Sequence, residues 1–284
     1  MKKIALFIAA VISAPALAWT NGDINKELNF GGTIKPEEYS QLWEWKVGTG
    51  LNDFKHNISD MDTDLKKLTI PVDSAKLLLT GRTKEALTGV SPGMGVLPQI
   101  SFSDFQNTQV TLQDTGDTDT VFLELPIKDD TNTKIGMLRV NATAVAVSVG
   151  PFRSLQKFAT TAHIATTTNS AFYGGLKTTN ATGAGNNANN KLVSLGGTGR
   201  NELVEQVKRH PLMSDKNYSG FASNVVPFNL TFREENSNST EDGLAAASYI
   251  LAMANDQTME ATFDNPITAT TKWSAPLNVA VTYN

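Results

Sequence analysis

The chain has 284 residues, a formal charge of −4 and no cysteine. That acidic balance, with no basic stripe interleaved with aromatics, excludes nucleic acid as a partner, and without thiols the fold must be stable through core size alone. Charged residues make up only 18% of the chain, while Thr, Asn, Ser and Gly abound, a composition that points to an all-β extracellular protein with a neutral, hydroxyl-rich surface. Met1-Lys2-Lys3, the apolar run Ile4 to Ile12 and the small-x-small site Ala16-Leu17-Ala18 form a secretory signal peptide over residues 1–18. The run is too short to span a bilayer. The mature chain then begins at Trp19.

Residues 19–37 read as an N-terminal extension. Within it Ile24, Leu28, Phe30 and Ile34 share one face of an extended strand with Lys26 and Gly32. A short strand that lies outside a domain cannot satisfy its own backbone groups, so it must add to a sheet elsewhere. If that sheet belongs to a second copy of the chain, the protein is a polymer subunit. Next, Trp43-Glu44-Trp45 sets two indoles on one strand face, as expected of a sandwich core. Leu68 to Val72 alternates, with Pro71 marking an edge strand or a bulge. Gln109 to Leu112, Val121 to Leu125, Met137 to Val149 and Met259 to Phe263 alternate as well, with turn-rich loops between them. Strands this short and this regularly spaced predict an antiparallel sandwich or barrel.

The pattern breaks from about residue 151 to 211, a stretch of Ala, Thr, Asn and Gly that reads as a helix-and-loop insertion. Thr178 to Asn190 is predicted as loop, and Asn201 as the cap of a helix over Glu202 to Arg209. Phe172-Tyr173-Gly174-Gly175 puts adjacent rings on opposite sides of the backbone. One ring therefore tends toward solvent, either as a platform for the apolar face of a sugar or as a packing contact between insertion and body. Ala245 to Ala254 is ambiguous between helix and hairpin arm. The chain closes on a strand in which Leu277, Val279, Val281 and Tyr283 share a face.

No catalytic constellation emerges. His56, His163 and His210 stand apart, with neither a paired spacing nor a carboxylate pair beside them. There is no Gly-x-Ser-x-Gly elbow, and Leu195 to Arg200 lacks the Gly-Lys-Ser/Thr ending of a phosphate loop. Asp60, Asp62 and Asp64 lack the Gly and Glu that would complete a calcium loop. The expectation is a non-enzymatic protein with no cofactor and no metal.

Specific strings resemble one family. They are Trp43 to Asn52 (WEWKVGTGLN), Gly81 to Ala86 (GRTKEA), Leu97 to Ile100 (LPQI), Phe172 to Leu176 (FYGGL), Met259 to Phe263 (MEATF) and Trp273 to Ala280 (WSAPLNVA). In this order they are similar to the FaeG-type fimbrial adhesins, the major subunits of kappa-clade chaperone–usher fimbriae. The likeness weakens over 149–171 and from 177 to about 239.

The resemblance implies an immunoglobulin-like antiparallel β-sandwich over residues 38–284 that lacks its final strand. A periplasmic chaperone would fill the gap first. At the outer-membrane usher, the donor strand of the next copy would replace it, carried on Ile24, Leu28, Phe30 and Ile34. Lys26 departs from the family, where glycine is expected, and must snorkel out of the groove or shift the register. The strand of Leu277, Val279, Val281 and Tyr283 would be the edge that the chaperone pairs with. The resemblance also implies that the major subunit is itself the adhesin, binding glycans of host epithelial glycoproteins or glycolipids through the 151–211 insertion. The family's sugar-contacting Phe aligns with Phe172, with Tyr173 beside it. The protein would pass through the periplasm to a surface fimbrium. The alternative is a minor subunit of the same system without receptor binding.

Overall fold

The computed structural model describes residues 42–88, 95–152, 155–178, 185–215, 218, 221, 225–227, 233–234 and 243–284. The chain divides into two units, and all described residues belong to the second, Glu38–Asn284. The signal peptide and the strand of Ile24, Leu28, Phe30 and Ile34 lie outside the described residues.

Fourteen strands and two α-helices are present among the described residues: β1 (Trp43–Val47), β2 (Lys67–Pro71), β3 (Lys76–Thr83), β4 (Pro98–Ser103), β5 (Gln109–Val110), β6 (Gln113–Asp114), β7 (Thr120–Lys128), β8 (Lys134–Phe152) and β9 (Lys157–Ile164), then α1 (Gly185–Ser194) and α2 (Arg200–Arg209), and finally β10 (Val225–Pro227), β11 (Arg233–Glu234), β12 (Ala246–Met253), β13 (Thr258–Phe263) and β14 (Asn278–Tyr283). The order β1-β3-β12-β8-β13-β2 forms the spine of a large sheet, and β14-β4-β5 form a small one. Pairing is antiparallel except for β10 and β11, which run parallel to β9. The two sheets face each other across one core, so the fold is all-β and immunoglobulin-like, as expected.

β2 shows why alternation is a reliable signal. Its burial alternates along Lys-Leu-Thr-Ile-Pro, and Pro71, which has no N–H to donate, sits on a strand at one end of the sheet order. β7 likewise buries Val121, Leu123, Leu125 and Ile127, and β13 buries Met259, Ala261 and Phe263.

β8 is the strand on which the rest is built. Its 19 residues pair with β7 and β13 along the first half and with β12 and β9 along the second. In the second half every residue from Ala142 to Pro151 is buried. Ala142, Ala144 and Ala146 join the core between the sheets, whereas Val145, Val147 and Val149 join a second core on the opposite face. β12 divides in the same way: Ala247, Tyr249, Leu251 and Met253 face the first core, and Ala246, Ile250 and Ala252 the second. A strand covered on both faces loses the apolar–polar alternation on which strand recognition depends. This resolves the ambiguous Ala245 to Ala254 segment as strand.

The helices seal the second core with Ala188, Leu192, Leu203, Val204 and Val207. The insertion is therefore a third layer laid over the large sheet, and it opens with a buried strand, β9. Two local predictions are corrected. Part of the predicted 178–190 loop is helical, because α1 begins at Gly185, whose backbone lies so close to β9 that a Cβ there would sit 2.0 Å from the Thr160 carbonyl oxygen. The cap of α2 is Gly199 and not Asn201. Gly199 offers no side chain, and the Arg200 N–H donates instead to Asn189 Oδ1 of α1 at 2.7 Å, so one helix caps the other.

Candidate functional site

β14 occupies an end of the small sheet. It pairs antiparallel with β4, Val281 opposite Ile100 and Tyr283 opposite Pro98, and among the described residues its other edge meets no strand. Val279, Val281 and Tyr283 are half-buried while Asn278, Ala280 and Thr282 are exposed. Together with Leu277 they rest on the first core without being closed over. A strand edge with no partner strand among the described residues, beside a half-covered apolar row, is a template for another strand.

An aromatic group underlies this edge. Trp45 on β1 donates its indole N–H to the Tyr283 hydroxyl at 3.0 Å, linking the first strand of the large sheet to the last of the small one. Burial pushes the Tyr283 hydroxyl pKa up, and the Trp45 bond opposes this. Trp45 stacks with Trp43 at 6.2 Å between ring centroids. It also meets Phe172 at 6.4 Å and Tyr249 at 6.1 Å. Phe172 packs edge-on against Trp43 at 5.5 Å and nearly parallel to Tyr249 at 5.2 Å. Both Phe172 and Tyr249 are wholly buried. Tyr249, the only aromatic residue of an Ala-rich strand, went unflagged in the sequence although a lone ring among small residues marks the place where a neighbour must fit.

Phe172 and Tyr173 lie in a loop spanning residues 165–177. At its base the Ala165 N–H donates to the Lys177 carbonyl at 3.0 Å. The buried Lys177 ammonium pairs with Asp114 at 2.6 Å and donates to the Asp117 carbonyl. Further along, Phe172 N–H donates to Pro98 O at 2.6 Å and Ile100 N–H to Tyr173 O at 2.8 Å. The Tyr249 hydroxyl donates to Gly175 O at 2.8 Å. Phe172 takes φ +62°, a left-handed conformation that is unfavourable for a bulky residue and persists only when its surroundings hold it. The two adjacent rings therefore separate, Phe172 into the core and Tyr173 outward at 36% exposure. Phe172, aligned by resemblance with a sugar-contacting ring, offers no face to solvent here. Of the two roles set out for these rings, its geometry supports packing.

Gly174 has φ +82°, and a Cβ there would lie 2.1 Å from the Ile100 carbonyl oxygen. Gly174→Ala is expected to destabilise the protein by about 3 kcal/mol, combining left-handed strain with a backbone clash. A melting temperature equal to that of the unsubstituted protein would show that the loop is not held against β4.

Among the described residues no group of three or more His, Cys, Asp or Glu could hold a metal ion, and no helix is long and apolar enough to cross a membrane. Asp62 accepts the backbone N–H groups of Lys66 and Lys67 at 2.9 and 3.1 Å. These bonds lower its pKa, that of Lys67 most, as in a loop-closing carboxylate.

The described residues form an immunoglobulin-like sandwich whose last strand has one partner strand among them, over an aromatic floor. Residues 1–284 match the family described as "Fimbrial, major and minor subunit". The K88 fimbrial protein AB of Escherichia coli is 39% identical to the chain over an alignment of 301 residues, and the K88 fimbrial protein AC of the same organism is 38% identical over 299, each covering 100% of both chains. The F41 fimbrial protein of Escherichia coli is 30% identical over 147 residues, covering 49% of this chain and 51% of its own. The chain belongs to this family of fimbrial subunits. It is a component of surface fimbriae, in a family of structural subunits that is not an enzyme class.

Proposed function

We propose that the chain is a major fimbrial subunit and adhesin that polymerises by donor-strand complementation. The carrying observation is the edge of β14, with its half-buried Val279, Val281 and Tyr283 and no second strand partner among the described residues. The strand suited to it is the one bearing Ile24, Leu28, Phe30 and Ile34 from another copy of the chain. A periplasmic chaperone would hold the same edge before the outer-membrane usher exchanges it. A peptide of residues 20–34 added to the full chain should raise the melting temperature in a concentration-dependent way. A scrambled peptide that raised it equally would remove the donor strand from the account.

For adhesion, Tyr173 supplies the exposed ring and Phe172 the buried anchor that positions it. The ligand class is a glycan of a host glycoprotein or glycolipid whose apolar sugar face stacks on Tyr173. Stacking is worth about 1 kcal/mol, a severalfold change in affinity per site, and a polymer multiplies weak sites. Tyr173→Ala should therefore abolish cell adhesion by fibres while leaving melting and assembly unchanged. Adhesion at the original level would shift the receptor role off this loop.

The family spans major and minor subunits, and the burial of Phe172 leaves the loop only one exposed ring. That burial favours, as a second reading, a minor subunit without receptor binding. Subunit abundance on sheared fimbriae separates the two, since only a major subunit dominates.

A further inference from the structure

The receptor-loop candidate and β14, which has one partner strand among the described residues, are two parts of one hydrogen-bonded ladder. Pro98 lies opposite Tyr283 of β14, and its carbonyl accepts the Phe172 N–H from the other side. Ile100 lies opposite Val281 and donates its N–H to Tyr173 O. The 172–173 segment thus extends the small sheet beyond β4, with Gln99 and Tyr173 forming a parallel bridge. Two side-chain links reinforce the ladder. The chain from Tyr283 through Trp45 to Phe172 and Tyr249 ends on the Gly175 carbonyl. Asn284 exchanges backbone bonds with Leu97 at 2.9 and 3.1 Å and donates its Nδ2 to Thr168 O at 2.7 Å.

We propose that a strand from a second copy, seated on β14, orders the 165–177 loop, so that the surface around Tyr173 becomes fully formed only in the polymer. The proposal rests on the donor-strand reading of β14. On the donor-strand reading β14 waits for a partner on its far edge, and a strand paired on one side only belongs to the less protected part of a structure. The loop hangs on that strand by the backbone ladder and by both side-chain links. Holding the far edge of β14 therefore removes opening motions that β14 and the loop share. Such coupling is reciprocal, so a ligand that holds the loop also tightens the seated strand.

Hydrogen exchange of the full chain, with and without a peptide of residues 20–34, tests this. With the peptide, the β14 amides and those of Ser170, Phe172 and Gly175 should all slow, the loop amides by about tenfold. Protection of β14 with the loop unmoved would overturn the proposal. A second arm needs no peptide. Trp45→Phe combined with Asn284→Ala removes both side-chain links, and should speed exchange at Ser170, Phe172 and Gly175 while leaving β13 as it was. Unchanged loop exchange in that variant would also overturn the coupling. A peptide that protects neither β14 nor the loop defeats the donor-strand reading, and with it the role of a second copy, while the variant arm still reports whether edge and loop move together.

Discussion

Chains lacking residues 20–34 should be captured by the chaperone yet form no fibres. The deleted segment holds Ile24, Leu28, Phe30 and Ile34 at even spacing, and if it pairs as a donor strand, burying them in a neighbour's groove contributes on the order of 6–10 kcal/mol before entropy costs. The measurement is electron microscopy together with gel analysis of unheated samples. Heat-stable fibres from the truncated chain would show that subunits join through some other surface. Lys26 refines the expectation. On the inward face it either reaches solvent at the end of the groove or moves the register, so Lys26→Gly should preserve assembly and strengthen it.

Phe172→Ala should lower stability by roughly 3–5 kcal/mol, because the ring is wholly buried among Trp43, Trp45 and Tyr249 and its loss leaves a cavity bounded by rigid rings. In a domain of this size that corresponds to a fall in melting temperature of roughly 6–20 °C. Glycan binding per folded molecule should stay as it was, since the exposed ring of the pair is Tyr173. Unchanged melting with lost binding would give Phe172 back to the receptor.

How much of this was legible in the sequence follows from how many faces of each strand are covered. β2, β7 and β13 bury one face, and their period of two marked them directly. β14 was legible for the same reason, and its half-covered row agrees with an edge. The second half of β8, together with β12, is apolar on both sides, so β12 read as easily as helix as it did as strand. α1 was missed because Gly-Asn-Asn-Ala-Asn-Asn is a poor helix former. It exists because Ala188 and Leu192 close a core, and that tertiary effect leaves no mark in local propensity. The Phe172-Tyr173 pair announced one ring out and one ring in. The choice of Phe172 for the interior depended on Trp43, Trp45 and Tyr249 converging from β1 and β12, contacts between residues far apart in sequence.

β8 turns alanines toward the sandwich and valines toward the helices, while β12 turns Tyr249, Leu251 and Met253 toward the sandwich and Ala246, Ile250 and Ala252 toward the helices, and this makes the two strands a party wall between two rooms. Peeling away α1 and α2 would expose Val145, Val147, Val149 and Ile250 to water on strands that also support Tyr249 and Leu251 on the other side. The helical layer is therefore no detachable decoration. The two cores form one cooperative unit, and damage on the helical side is felt on the side where subunits would join.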